Sequence, residues 1–435
     1  MILKESHKYL YILAVLIVLL PIRANAQSED ALGSFSPYSI YGIGDISSSG
    51  SAFNKMMGGV GIATRNNRHI NFLNPAAISA RDTLAFMADF GVEQKNSYFK
   101  EGNSKTLFNT FNMYDFVLSF PLYRSSALAV GITPFSDLGY DFSTRETNDD
   151  ILANVGDAQY GYYGEGSIYS LFLSGAVTFW DRLSLGAEFI YYFGNLERHS
   201  TVDYENSSYR SWDIGTQHHV YGFTGKFGLQ YEQKFSGDRS LIVGATYRMG
   251  TNLKGNKIRF AYASTSATID TVRYDASTPS FRIADEIGVG VSFKKADKWT
   301  VEFNYLRSDW RNTGIDGITE FNKDIFKSSV LNSFRAGFEY VPNRYDVRYY
   351  MRRVAYRGGV YYNQSYYTMN GHNVGEIGIT IGVTLPVFRF YNGINIGIDF
   401  GQRGGFGGVT MRERYFRFVV GFSLHDVWFQ RPRYE

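Results

Sequence analysis

The sequence predicts an all-β protein, a transmembrane antiparallel β-barrel of about fourteen strands with an N-terminal hatch segment. Three observations lead there. In the closing stretch, residues 412–428, apolar Phe416, Phe418, Val420, Phe422, Leu424 and Trp428 are interleaved with Arg417, Gly421, Ser423 and His425, and only Asp426 breaks the series. Alternation at period two sends successive side chains to opposite faces. A run this long suits a wall with lipid on one side and a polar lumen on the other. The second observation is composition: Gly 45, Tyr 34 and Phe 35 against Pro 9 is strand-forming and aromatic. The third is that brief and long connections alternate along nearly the whole chain, as in outer-membrane barrels with short periplasmic turns and long external loops.

Bulk properties narrow the classes further. Mean hydropathy is −0.22, which fits a barrel because lumen-facing residues dilute the apolar signal strand by strand. Net charge is +3 with both signs mixed, which gives no electrostatic case for nucleic acid. Cys is 0, so disulfides, thiolate metal sites, cysteine nucleophiles and a lipidated N-terminal cysteine are all excluded.

Taken in order, residues 1–26 read as a secretory signal peptide. Lys4 and Lys8 precede an apolar run from Tyr9 to Leu20, Pro21 breaks it, and Ala24-Asn25-Ala26 is an A-x-A cleavage site. The mature chain has no other long apolar run, so it can enter a membrane only as strands. Residues 27–81 lack a strand pattern but carry Phe53, Met56, Met57, Ile62, Phe72, Leu73 and Ile78, too apolar for a disordered leader. Residues 82–435 form the barrel. Its rows begin with Leu84, Phe86, Ala88, Phe90 and Val92 and include a tight turn at Asp181-Arg182. Short connections are expected near 122–126, 181–182, 236–239, 295–297, 342–350 and 388–392. Longer or more polar ones are expected near 97–105, 144–159, 204–216, 261–280, 312–329, 369–372 and 404–411, the brief loop before His372 being the weak case.

With the apolar rows facing lipid, the opposite rows place Asp89, Glu93, Asp115, Glu188, Lys226, Glu232, Arg248, Glu302, Arg335, Glu339, Arg357, Asp399, Arg417 and His425 in the lumen. Both signs occur in similar numbers, which favours paired charges over an ion-selective pore. A barrel of this size leaves an open channel unless something fills it, and residues 27–81 are the spare material.

The glycine-rich Gly58-Gly59-Val60-Gly61, followed by Asn71 to Ile78 with Asn74-Pro75-Ala76 at its centre, resembles the hatch of the long-chain fatty acid transporter (FadL-like) family. Residues 111–142 resemble that family's second and third strands. The resemblance implies a hatch-closed barrel of fourteen strands. It also implies passive uptake of a hydrophobic molecule that leaves sideways at a kink in the third strand, where Thr133-Pro134-Phe135 lies here. Proline cannot donate to a ladder and so is suited to such a gap, or merely to ending a pairing near the rim. On this view Met56, Met57, Phe72, Leu73, Asn74, Pro75 and Ala76 mark the ligand path and hatch, and Pro134 and Phe135 the lateral opening; the alternative role of the apolar ones is to glue hatch to wall. Residues 28–45 and 349–367 depart from the transporter pattern. The ending at residues 421–431 resembles a branch of the family whose members serve in outer-membrane assemblies, some in protein secretion, others alongside the barrel-assembly machine.

No catalytic constellation emerges. His218-His219, expected in a polar loop, lacks a third ligand at metal spacing. Gly225-Lys226 lacks the rest of a phosphate loop, and the 404–408 glycines have no following helix. The expectation is a bacterial outer-membrane protein without enzymatic activity, cofactor or metal, in contact with outer-membrane lipid. It either passes a hydrophobic small molecule or serves as a structural or adaptor subunit bound to other outer-membrane proteins of an assembly or secretion complex.

Overall fold

The computed structural model describes residues 34–427 apart from 82–84, 103, 124, 207, 266–267, 280, 319–324, 388–391 and 410. The signal peptide, Leu84, Trp428 and most of the 388–392 turn therefore lie outside the described residues. Fourteen described strands form the wall. They are β1 (Ala85–Glu101), β2 (Ser104–Tyr123), β3 (Ser126–Arg145), β4 (Ala158–Phe179), β5 (Leu183–Tyr204), β6 (Ser211–Phe235) and β7 (Arg239–Arg248). The second half comprises β8 (Glu286–Lys295), β9 (Trp299–Asp309), β10 (Val330–Tyr340), β11 (Ala355–Met369), β12 (His372–Pro386), β13 (Gly393–Gly404) and β14 (Arg412–Val427). Each pairs antiparallel with the next, and β14 pairs with β1, from Ala85 opposite Val427 to Lys100 opposite Arg412. The sheet is closed and has no outer edge strand.

The alternation decides which face is which. Leu173, Phe189, Phe223, Phe303, Ile379 and Leu424 are exposed on the outside, whereas Asp89, Asp115, Glu302, Glu339, Arg357 and Asp399 are buried inside. That inversion of a soluble protein's pattern is what a lipid-facing wall requires. The fold is that of an outer-membrane β-barrel.

Connections differ from expectation at several places. The stretch 97–105 is a tight hairpin, because β1 and β2 pair up to Glu101 and Ser104. Asn370-Gly371 takes positive φ at both residues, 51° and 77°, the type I′ geometry that an Asn-Gly pair favours, so β11 and β12 join without a loop. The connection between β7 and β8 is long, as expected near 261–280, but part of it is regular. Lys254–Ser264 returns to the upper half of β6 and then pairs with Ile269–Ser277, forming a hairpin beyond the wall. The 341–354 connection is longer than expected and contains a turn of 3₁₀ helix at Tyr350–Arg352. His218 lies on β6, not in a loop, and is buried.

Residues 34–81 lie in the bore and make little regular structure: a 3₁₀ turn at Pro37–Ile40, a two-residue strand at Asp45–Ile46, a helical turn at Ala52–Lys55 and a 3₁₀ turn at Pro75–Ser79. Asparagines supply the order that backbone pairing does not. Asn54 Nδ2 donates to the Val60 carbonyl at 2.8 Å, and Asn71 Nδ2 to those of Gly61 (2.6 Å) and Thr64 (3.0 Å). Asn74 caps the last turn by accepting from Ala76 N at 3.0 Å, and its Nδ2 donates to Ile62 O at 2.7 Å and to Leu229 O on β6 at 3.2 Å. Close approach requires glycine on the wall. A Cβ on Gly359 would come within 2.3 Å of the Met57 backbone, and one on Gly228 within 2.0 Å of Asn74 Oδ1.

Candidate functional site in the bore and its wall

Among the described residues, the β2–β3 seam of the wall is paired over only part of its length. The β2–β3 ladder runs only from Tyr123 opposite Ser126 up to Phe116 opposite Ile132. Above that level β2 continues paired to β1 alone among the wall strands, and β3 to β4, out to Arg145 opposite Gln159. Local sequence explains the parting. On β2 the register steps at Tyr114, so Tyr114 and Asp115 are both buried where alternation would send one outward. The extra ring needs space, since a Cβ on neighbouring Gly91 would lie 2.0 Å from it. On β3, Pro134 offers no N–H, and Phe135 is skipped in the ladder between Pro134–Tyr169 and Ser136–Ile168.

The free edge of β3 is met by the chain's own N-terminal segment. Asp45 and Ile46 pair with Asp137 and Ser136. Ser47 N donates to Phe135 O at 3.0 Å and Ser36 N to Gly139 O at 2.8 Å. Side chains reinforce the contact: Ser39 Oγ donates to Gly139 O (2.9 Å), and Ser47 Oγ and Ser167 Oγ donate to the two oxygens of Asp137 (each 2.7 Å). Phe35 stacks on Phe108 of β2 with ring centroids 3.4 Å apart. This is strand addition within one molecule.

The bore is polar and crowded. Lys55 pairs with Glu93 (2.9 Å), Arg68 with Asp297 (3.1 Å) and Asp45 with Arg403 (2.7 Å), each joining the inner segment to a wall strand or turn. Glu302 accepts from Ala63 N at 2.9 Å and also from Thr64 Oγ1. Arg335 Nη1 donates to Gly59 O at 3.0 Å, and Gly58 N donates to Thr380 Oγ1 at 2.8 Å. His69 stacks on Phe53, and its Nε2 is 3.3 Å from Arg357 Nη2. Burial first, then the charges of Arg357, Arg344 and Arg68 and neighbouring His425, hold its pKa well below the usual imidazole value. Nearer the long-loop end, buried Tyr366 donates to the carbonyls of Tyr41 (2.9 Å) and Gly44 (2.6 Å), and Tyr367 to that of Tyr38 (2.8 Å). Ile315, from the β9–β10 connection, packs over Gly42.

Two of the cavities beside the inner segment bear on the seam and the charged bore. One of about 130 Å³ is lined by Asp45, Lys55, Arg335, Glu376, Asp399, Arg403 and Arg417 among others. The other, about 140 Å³, is lined by Phe72, Leu73, Pro134, Phe135, Phe172, Glu188, Lys226 and Arg248 among others. Of the residues singled out in the sequence, the second cavity unites Phe72 and Leu73 with Pro134 and Phe135. Met56 and Met57 are elsewhere and fully buried, Met56 against Gly382 and Gly397, Met57 against Gly337 and Gly359. Asn74, Pro75 and Ala76 sit against Gly186 of β5 and Gly228 of β6. Sequence reasoning passed over Tyr38, Tyr41, Arg198, Tyr366, Tyr367 and Arg403. All lie in or against the described part of residues 28–45, which with 349–367 departs from the transporter pattern; the excess of tyrosine and arginine at 349–367 was the available signal.

A closed barrel with a chain segment in its bore and an interrupted third-strand seam defines a class, the outer-membrane barrels of the FadL-like transporter fold. Among solved structures it is similar to the toluene transporter TbuX of Ralstonia pickettii, with a TM-score of 0.58 and 16% identity over 86% of this chain and 98% of that one. It is also similar to a FadL homologue of Pseudomonas aeruginosa (TM-score 0.57, 12% identity, 88% and 100% covered) and to the Pseudomonas putida toluene transporter TodX (0.56, 13%, 88% and 99%). These likenesses establish fold, and the structures concerned are transporters and channels, not enzymes. A comparison with curated protein sequences found no match. The family model named BamG matches residues 8–435, and the chain belongs to the BamG family.

Proposed function

We propose that this chain is a non-transporting structural subunit of an outer-membrane assembly, a barrel whose bore is permanently plugged and whose loops and outer wall serve partners. The observation that carries the reading is the way residues 34–81 are fixed. Ion pairs and hydrogen bonds tie them to strands around the circumference, and the cavities beside them near the β2–β3 seam measure only about 130 and 140 Å³, with charged linings. Small-molecule sites usually measure about 300–1,000 Å³ and are mostly apolar. Breaking one member of a buried ion pair costs about 3–5 kcal/mol, so moving this plug as a unit would be expensive. Membership of the BamG family, whose name belongs with the barrel-assembly machine, supports the same reading. Chemical crosslinking in native outer membranes, followed by purification in mild detergent, tests it. Recovery with other outer-membrane proteins at a mass well above one barrel is expected. Recovery as a lone barrel in every detergent would dismiss the proposal.

A second reading has its own observation. The parting of β2 from β3, with Phe72, Leu73, Pro134 and Phe135 on one cavity, is where a hydrophobic compound would leave the bore for the bilayer during passive uptake. The transporter fold of the solved relatives supports it. Accumulation of toluene or a long-chain fatty acid in cells with and without the protein separates the readings: equal uptake removes the second one.

A further inference from the structure

At the long-loop ends of β2, β1 and β14, three adjacent strands carry basic residues in register. Lys100 on β1 is opposite Lys105 on β2 and also opposite Arg412 on β14. One step lower, Tyr98 stands between Leu107 and Arg414. Neighbouring strands are about 4.8 Å apart, so the three cations of the upper row lie within roughly 10 Å. Like charges placed directly opposite one another destabilise a sheet unless an anion offsets them.

No such anion comes from the described residues. Among the described residues none of Lys100, Lys105, Arg412 and Arg414 makes an ion pair. Arg414 Nε donates to neutral Gln402 at 3.0 Å, and Arg412 Nε is buried without a hydrogen-bond partner. Glu413 is turned inward, where it pairs with Lys95 at 2.7 Å. The alternation of β1 puts Glu101 on the inner side as well, opposite Ser104.

The placement selects the ligand. These cations face outward from the barrel, and the apolar belt of β14 ends at Phe416, the outward position just below Arg414. Leu107, outward and 69% exposed, lies one outward step below Lys105. A soluble anion would have no use for that apolar surface. A lipid would use both parts. We infer that Lys100, Lys105, Arg412 and Arg414 bind the phosphate-bearing headgroup of an outer-leaflet lipid, whose acyl chains run down β14 over Phe416 and Phe418, beside the outward Asn96–Asn109 pair of β1 and β2. The site stands beside the unpaired edge of β2 and is independent of whether the bore conducts.

The test uses the full mature chain in phosphatidylcholine nanodiscs doped with a bis-phosphorylated glucosamine glycolipid or with the same glycolipid after phosphatase treatment. Native mass spectrometry then counts the glycolipid retained. Preferential retention of the phosphorylated form is expected. Combining Lys100→Gln, Lys105→Gln and Arg412→Gln should weaken it roughly a hundredfold, and Lys105→Gln alone about fivefold, while Arg307→Gln, an exposed outward cation on β9, should leave it unchanged. Lys100→Arg with Lys105→Arg should retain binding. The single exposed-site variant keeps the question open to test if the triple variant does not assemble. Equal retention of the dephosphorylated glycolipid, or undiminished retention by the neutralised variants, would overturn the inference. So would displacement by millimolar inorganic phosphate, which would identify the ligand as a soluble anion.

Discussion

Two seams of this barrel solve the same problem differently. Where β14 meets β1 the ladder runs unbroken through sixteen register pairs, from Ala85–Val427 to Lys100–Arg412. Where β2 meets β3 it runs through seven and stops at Phe116–Ile132. Both seams must keep backbone donors and acceptors out of hydrocarbon, where each unsatisfied group is costly. The first does so with a neighbouring strand. The second does so in part with Asp45–Ile46 and the serines around them, a piece of chain that comes up the bore and adds to β3 from inside. A wall strand is bound on two edges along its length; the inserted piece holds by a handful of hydrogen bonds. Closure at the second seam should therefore be removable without dismantling the barrel.

The comparison can be broken most severely at the first seam. Val420→Pro, in mid-ladder between Ile396 and Val92, removes a donor where no bulge absorbs it. Assembled barrel should be lost, seen as disappearance of the heat-modifiable band on semi-native gels. Deleting residues 36–47 should leave that band in place and instead open the second seam. Entry of a hydrophobic fluorescent dye into cells should then rise on the order of tenfold, as for a barrel of this width deprived of filling. A deletion variant that fails to assemble, or assembles without leaking, would erase the distinction between the seams.

Locking the second seam is the next test. The chain has Cys 0, so Ile46→Cys with Ser136→Cys, at register positions facing each other, introduces the only thiols. Directly opposed strand residues meet the distance requirement of a disulfide. The crosslink should form nearly completely under oxidising conditions without altering cell permeability, if the inserted piece is a fixture. If hydrophobic compounds leave the bore there, the locked protein should lose its uptake and regain it on reduction.

Most of the first seam, and little of the second, was legible in the sequence. Period-two rows identified fourteen wall strands because outward Phe422 or Ile379 and inward Asp399 or Glu302 obey one rule wherever they occur. The Asn370-Gly371 hairpin broke the expected long-loop pattern since its turn chemistry was weighed less than the parity of connections. At the second seam, Pro134 could be seen as an interruption of pairing. What could not be seen is that β3 runs straight through it with Phe135 bulged, because that depends on β4 holding the other edge. The doubled inward turn at Tyr114 and Asp115 likewise depends on a glycine, Gly91, in another strand. The inserted piece, Ser36 to Ser47, has no periodicity of its own; its structure comes from its neighbours.

Smaller effects probe how the inner segment is held below the seam. Asn74→Ala removes a turn cap and the donor to Ile62 O and Leu229 O. With a cap worth about 1 kcal/mol and two further hydrogen bonds at roughly 0.5–1.5 kcal/mol each, and with Gln230 Nε2 still donating to Ile62 O at 2.9 Å, a loss of roughly 2–3 kcal/mol is expected. Urea unfolding in detergent would measure it, and the oxidised 46–136 crosslink should not rescue it, because the two lie in different parts of the segment. Full rescue would mean that residues 34–81 are held as one unit.

The mildest perturbation is pH. His69 is enclosed by Phe53 and faces Arg357, Arg344, Arg68 and His425, so burial and positive neighbours keep its imidazole neutral and its pKa well below the unfolded value near 6.5. In that window the unfolded chain takes up the proton and the folded chain does not. Stability from this residue is therefore complete above about pH 6.5 and falls as the pH drops below it, by at most about 1.4 kcal/mol per pH unit. Between pH 7 and 5.5 the wild type should show a lower urea midpoint with an unchanged slope. His69→Asn, which cannot titrate, should flatten that part of the curve. An equal acid sensitivity in the variant would locate the titrating group elsewhere, and His69 would then contribute shape to the packing around Arg357 without contributing to its pH dependence.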